Sequence, residues 1–143
     1  MRALQDVVTA VCRMPIDFHE RRDISMADLI WEIEYPRFAT EITEDVLEEH
    51  VRAHPDLLGV WVQYSEDQRC SPAWMLGGRD SVGDPTREWH VSYWHEDPAK
   101  RSDRVFDDQF GACAYFIKRQ ADSFAANPFG SGFRRARRTR RRQ

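Results

Sequence analysis

The chain has 143 residues, 41% hydrophobic and 31% charged, which suits one domain with a buried core and leaves no apolar run near the ~18–20 residues that cross a bilayer. Its formal net charge of −3 conceals two opposed segments: seven of the last ten residues are Arg, whereas residues 1–133 hold 14 Lys+Arg against 24 Asp+Glu, a net of −10. A body of that charge repels nucleic acid and favours a basic partner.

Residues 3–13 are predicted to form a short helix, because Leu4, Val7, Val8 and Val11 recur at helical spacing. Pro15 is expected to end it. Ser25 is a predicted N-cap with Asp28 three residues on. The helix it starts, over 25–34, would bury Met26, Leu29, Ile30 and Ile33, and Pro36 would stop it. Thr43 is predicted to cap a third helix, with Glu44 and Asp45 in its first turn and Val46, Leu47 and Val51 inward. Pro55 opens a predicted helix over 55–65, whose inner side is Leu57, Leu58, Trp61, Val62 and Tyr64.

Beyond that helix the period changes. Trp74-Met75-Leu76 and Trp89 to Trp94 read as two strands of an antiparallel hairpin, with turn signals at Gly77-Gly78 and Gly83-Asp84-Pro85. Trp89, Val91 and Tyr93 would share one face of the second strand, and His90, Ser92 and Trp94 the other. A closing helix is predicted from Phe106, Phe110, Cys113, Ile117, Ala121 and Phe124, with Asp107 and Asp108 at its start. Asn127 to Gly132 reads as a linker, and the Arg run as a disordered tail. The expected fold class is α+β: N-terminal helices, a small antiparallel sheet and a closing C-terminal helix, making one acidic domain over 1–126 with an appendage over 127–143.

Candidate chemistry is sparse. Cys12, Cys70 and Cys113 are odd in number and widely spaced, so neither a disulfide framework nor a CxxC metal site is indicated, and Cys113 reads as core. His50 and His54 stand at i, i+4, but Val51 occupies the position where the zinc-protease pattern needs Glu. No metal or cofactor is expected. The corner Ser65-Glu66-Asp67-Gln68-Arg69-Cys70-Ser71 offers a thiol near carboxylates and a guanidinium; a small enzyme using it would need His90 or His95 brought close. The bland alternative is a helix-to-strand turn whose polar groups satisfy backbone.

The acidic clusters carry the stronger functional argument. Glu41, Glu44, Asp45, Glu48 and Glu49 fall within nine residues with no Lys or Arg among them, and Asp103, Asp107 and Asp108 form a second group. They are either solvated helix surface or a patch that steers a basic protein. The Arg tail could grip phosphates weakly, but only Phe133 accompanies it as a stacking residue.

The stretch from Ile42-Thr43-Glu44-Asp45 through Pro55-Asp56-Leu57-Leu58 and Trp61 to the Tyr64-Ser65-Glu66-Asp67-Gln68-Arg69 corner and Trp74 resembles a family of small bacterial immunity proteins. So does Phe106-Asp107-Asp108, followed by Ala112-Cys113-Ala114 and Ile117. Those proteins accompany polymorphic and contact-dependent growth-inhibition toxins. The resemblance spans roughly residues 24–125; Gln68, Ala73 and Met75 stand where the family pattern has Lys, Gly and Tyr. It implies a non-enzymatic antidote that binds the basic C-terminal domain of a cognate toxin, expected to be a nuclease; the lack of an apolar run and of a basic, then apolar, leader pattern makes a cytoplasmic protein without membrane contact the expectation. The resemblance implies an architectural role for Trp61, Tyr64, Ser65, Arg69, Trp74, Cys113 and Ile117. The toxin-facing candidates are the eight carboxylates above together with Glu66 and Asp67.

Overall fold

Each helix forms where apolar residues recur every three to four positions and a polar side chain or proline marks the start. The computed structural model describes residues 3–21, 23–68, 73–78 and 88–126. The Gly83-Asp84-Pro85 turn, Arg69, Cys70 and Ser71 of the polar corner, and the linker and Arg run after Ala126 lie outside the described residues. In chain order the elements are α1 (Leu4–Cys12), α2 (Met14–Glu20), α3 (Met26–Glu32), α4 (Tyr35–Phe38), α5 (Glu44–Ala53), α6 (Asp56–Asp67), β1 (Ala73–Gly78), β2 (Trp89–Trp94), a 3-10 turn (Pro98–Lys100), β3 (Ser102–Phe106) and α7 (Gln109–Ala126). The fold is α+β, and none of these helices is long and apolar enough to cross a membrane.

The predicted caps are present: the backbone N–H of Asp28 donates to Ser25 Oγ at 3.0 Å and that of Val46 to Thr43 Oγ1 at 3.3 Å. Two prolines act differently from expectation. Pro15 and Pro36 each sit in the first turn of a further helix, α2 and α4, where a missing N–H costs nothing. The break before α4 is made by Glu34, whose φ of 67° places it in the left-handed region and turns the chain two residues ahead of Pro36.

The sheet has the order β1-β2-β3, antiparallel throughout. Gly77 and Gly78 extend β1 rather than turn it, pairing with His90 and Trp89. Phe106 ends β3 instead of starting the closing helix, which begins at Gln109. β3 escapes a sequence reading because Ser102 to Val105 are exposed on both faces, so no apolar alternation marks them.

α7 packs against both halves of the molecule. Its Ala112, Cys113, Ala114, Phe116, Ile117 and Ala121 are buried, and the small side chains among them let the neighbouring elements approach closely. Helical partners supply Val7, Val11, Ile30, Leu47 and Val51, while Leu76, Trp89 and Val91 come from the inner sheet face. Trp61 is 1% exposed; its indole N–H donates to the Cys12 carbonyl at 2.9 Å, satisfying an end-of-helix acceptor of α1, and its ring meets Phe116 edge-on at 5.9 Å. The buried Tyr35 hydroxyl bonds the Asp122 carboxylate and accepts from Lys118 Nζ at 2.8 Å, tying α4 to α7.

The end of α6 is stitched to the free edge of β1. Ser65 Oγ accepts the Leu76 N–H at 2.8 Å, and Gln68 Nε2 donates to the Trp74 carbonyl at 2.7 Å. Gln120, buried on α7, donates to Tyr64 Oη and to Gln68 Oε1 at 3.2 and 3.3 Å. Replacing Ser65 by Ala removes the acceptor of a buried N–H, and the expected loss is about 1–3 kcal/mol in urea unfolding; a change below about 0.5 kcal/mol would show that the seam is held by packing alone.

Burial pushes the Cys12 thiol up to about 12. Burial raises that of Cys113 as well, with Cys12 adding to the effect. The reactive thiolate is therefore scarce at both positions near neutral pH. Site-resolved mass spectrometry after iodoacetamide treatment at neutral pH should find Cys12 and Cys113 unmodified in the native chain and alkylated in urea; native alkylation of either contradicts its placement.

Candidate functional site

The carboxylates separate into three environments. On α5, Glu48 pairs with Arg52 one turn on at 3.2 Å, and Arg52 also reaches the Asp108 carboxylate at the start of α7. Gly111 makes room for this: a Cβ there would lie 3.1 Å from Glu48 Oε1. Glu44 meets Arg119 of α7 at 3.4 Å. Thus the acidic run that lacks a base in sequence acquires two in space. Glu41, Asp45, Glu49 and Asp107 are exposed and form no ion pair among the described residues.

Asp108 has a second role. Its Oδ1 accepts the Phe110 N–H at 3.2 Å, capping α7. Asp108→Asn keeps that acceptor and loses only the partly exposed ion pair, so the expected cost is about 0.2–1 kcal/mol, smaller at high salt. Asp108→Ala also loses the cap and should cost roughly 1 kcal/mol more in thermal or urea unfolding. Equal losses for the two variants would mean that the cap contributes nothing.

Asp103 does not join Asp107 and Asp108. It lies on β3, opposite Ser92 in the register, on the sheet face turned away from α7. Ser92 Oγ donates to Asp103 Oδ1 at 2.6 Å, and His90 Nδ1 lies 3.0 Å from Asp103 Oδ2. Because a carboxylate only accepts, Nδ1 carries the imidazole proton. His90 Nε2 faces Glu88 at 3.4 Å. Ser92 and His90 therefore both spend their donors on Asp103, a cross-strand polar cluster rather than a hydroxyl-to-imidazole relay. His95 Nδ1 accepts the Asp97 N–H at 2.9 Å in the following turn.

Glu66 and Asp67 are exposed at the end of α6 and point to different places. Glu66 borders an open hollow of about 510 Å³ with Met75, His90 and Ser92. Asp67 borders a groove of about 600 Å³ whose apolar wall includes Ile16, Phe18, Met26, Val60 and Phe124. Ser65, Tyr64 and Trp74 belong to the seam between α6 and β1, while Cys113 and Ile117 are fully buried. His50 and His54 stack at 4.4 Å; burial and the neighbouring His54 lower the His50 pKa, which disfavours its charge. Among the described residues no group of three or more His, Cys, Asp or Glu is arranged to hold a metal ion.

Two features are absent from the sequence reading. One is the pairing of Arg52 and Arg119 with the acidic helix; the i, i+4 spacing of Glu48 and Arg52 signals the first, and nothing local signals the second. The other is a set of exposed apolar side chains on the outer sheet face. Met75, Trp94 and Val105, each between 39% and 50% exposed, stand on it beside Ser92, His90 and Asp103. Comparison of the chain with family models, curated proteins and solved structures finds no match.

Proposed function

We propose that the chain is an immunity protein, a cytoplasmic binding protein that neutralises a basic toxin domain by one-to-one association. The observation that carries this reading is the surplus of carboxylate: residues 1–133 hold a net of −10, and Glu41, Asp45, Glu49 and Asp107 present exposed charge that Arg52 and Arg119 do not neutralise. A nuclease domain offers the complementary surface, since it is built to hold phosphate and is rich in Lys and Arg. An acidic protein seated there competes with the nucleic acid and needs no chemistry of its own. The resemblance to immunity proteins, which runs through the Tyr64 to Trp74 seam and the start of α7, supports the same reading. Exposed carboxylates act mainly by steering, so they raise the association rate and make it depend on salt.

The test is binding to the catalytically inactivated toxin domain encoded beside the gene, followed by co-expression with the active toxin. Reversing Glu41, Asp45 and Glu49 to Lys should slow association by about tenfold or more at low salt, flatten its salt dependence and weaken growth rescue. Full rescue with an unchanged association rate would remove the acidic helix from the function. Absence of any binding by the unaltered chain would remove the immunity reading itself.

A further inference from the structure

Resting on the reading of a basic partner, we propose that the outer face of the sheet anchors that partner, with Trp94, Met75 and Val105 as the contact residues and the hollow beside Glu66 as the seat for a Lys or Arg side chain. Six large hydrophobic side chains are exposed among the described residues, and three of them stand on this one face. The register sets Met75, opposite Ser92, diagonally beside Trp94, and places Val105, opposite His90, on the far side of Ser92 and Asp103 on the same face. Singly exposed apolar residues are ordinary, whereas a cluster of them on one face marks an interaction surface.

The face is also prepared for binding. Arg101 lies 4.8 Å over the Trp94 ring, and its Nε is held by the His95 carbonyl at 2.6 Å. The indole is thus ordered before contact, and less side-chain freedom is lost on association. Trp is the residue type most often found at the energetic centre of protein interfaces. Asp103 is oriented by Ser92 and His90 in the middle of the patch.

Charge selects the occupant. Among the described residues the carboxylates Glu66, Glu88 and Asp103 stand at or beside this face, and the guanidinium of Arg101 is engaged on Trp94. The hollow has an apolar wall at Met75 and a carboxylate at Glu66. A Lys or Arg can lay its methylene stem on the wall and place its charge at the carboxylate. A second copy docking through this same face fits poorly, since it would set the same carboxylates against each other. The occupant is therefore a basic protein surface with an apolar residue beside a Lys or Arg. In this division of labour the α5 carboxylates set the association rate and the sheet face sets the dissociation rate.

The experiment titrates isotope-labelled full-length chain, followed by backbone amide shifts, with two probes: the inactivated toxin domain encoded beside the gene, and a peptide of alternating Lys and Leu. Both should shift amides of 73–78, 89–94 and 102–106. Trp94→Ser and, separately, Val105→Lys should each weaken toxin binding at least about tenfold, mostly through faster dissociation, while melting temperature stays within a few degrees because both side chains are substantially exposed. Toxin binding with shifts confined to α5, or unchanged affinity in both variants, overturns the proposed anchor and leaves the immunity reading standing. No toxin binding, with the peptide still mapping to the sheet, supports the surface and removes the toxin. No sheet shift with either probe overturns the proposal.

Discussion

Everything on the sheet side of this protein depends on the seam between the end of α6 and the edge of β1. Leu76 N–H and the Trp74 carbonyl point away from β2, and an edge strand with such groups free invites pairing with another chain. Ser65 and Gln68 satisfy them with side chains instead. Gln120 links the same seam to α7. One edge of a three-stranded sheet is thereby closed, and the sheet's inner face is held against the closing helix. The orientation of the outer face follows, because strand alternation permits no other: with Leu76, Val91 and Trp89 inward, Met75, Ser92 and His90 must face outward.

The electrostatic pattern shows how a strongly acidic domain keeps charge available without placing it where it would split the fold. Carboxylates nearest the α5 and α7 contact are neutralised by Arg52 and Arg119, which also lie over Phe110 and Tyr115 at 5.3 and 4.7 Å. Each guanidinium covers an aromatic face and answers a carboxylate, so packing and charge are served by one side chain. The exposed remainder, at Glu41, Asp45 and Glu49, sits where water screens mutual repulsion. The proposed steering by such charges and the proposed anchoring by Trp94 are separable in physics, since the first acts at a distance and the second only on contact.

Much of the fold was legible in the residues. The caps at Ser25 and Thr43, the inward faces of α1 (except Leu4, which is exposed), α3, α5 and α6, and the two alternating faces of β2 follow from local spacing. Three elements were not. α2 and α4 are short and open on prolines that read as terminators, although proline in a first turn starts a helix as readily as it ends one. β3 is an edge strand wetted on both faces, so burial leaves no periodic trace in it. Missing β3 also misplaced Phe106 and grouped Asp103 with Asp107 and Asp108, when strand geometry sends it to the sheet's outer face.

By itself the sequence determined the charge of the body, the helical and strand faces and the core, because solvation and burial act on each residue through its own side chain and near neighbours. Tertiary structure alone decided the pairing of Glu44 with Arg119 and of Asp108 with Arg52. Glu44 and Arg119 are 75 residues apart, and only the packing of α5 on α7 brings them together. It alone also decided that Met75, Trp94 and Val105 share one sheet face. Each comes from a different strand, and apolar area becomes a surface only when hydrogen-bonded register sets the strands side by side.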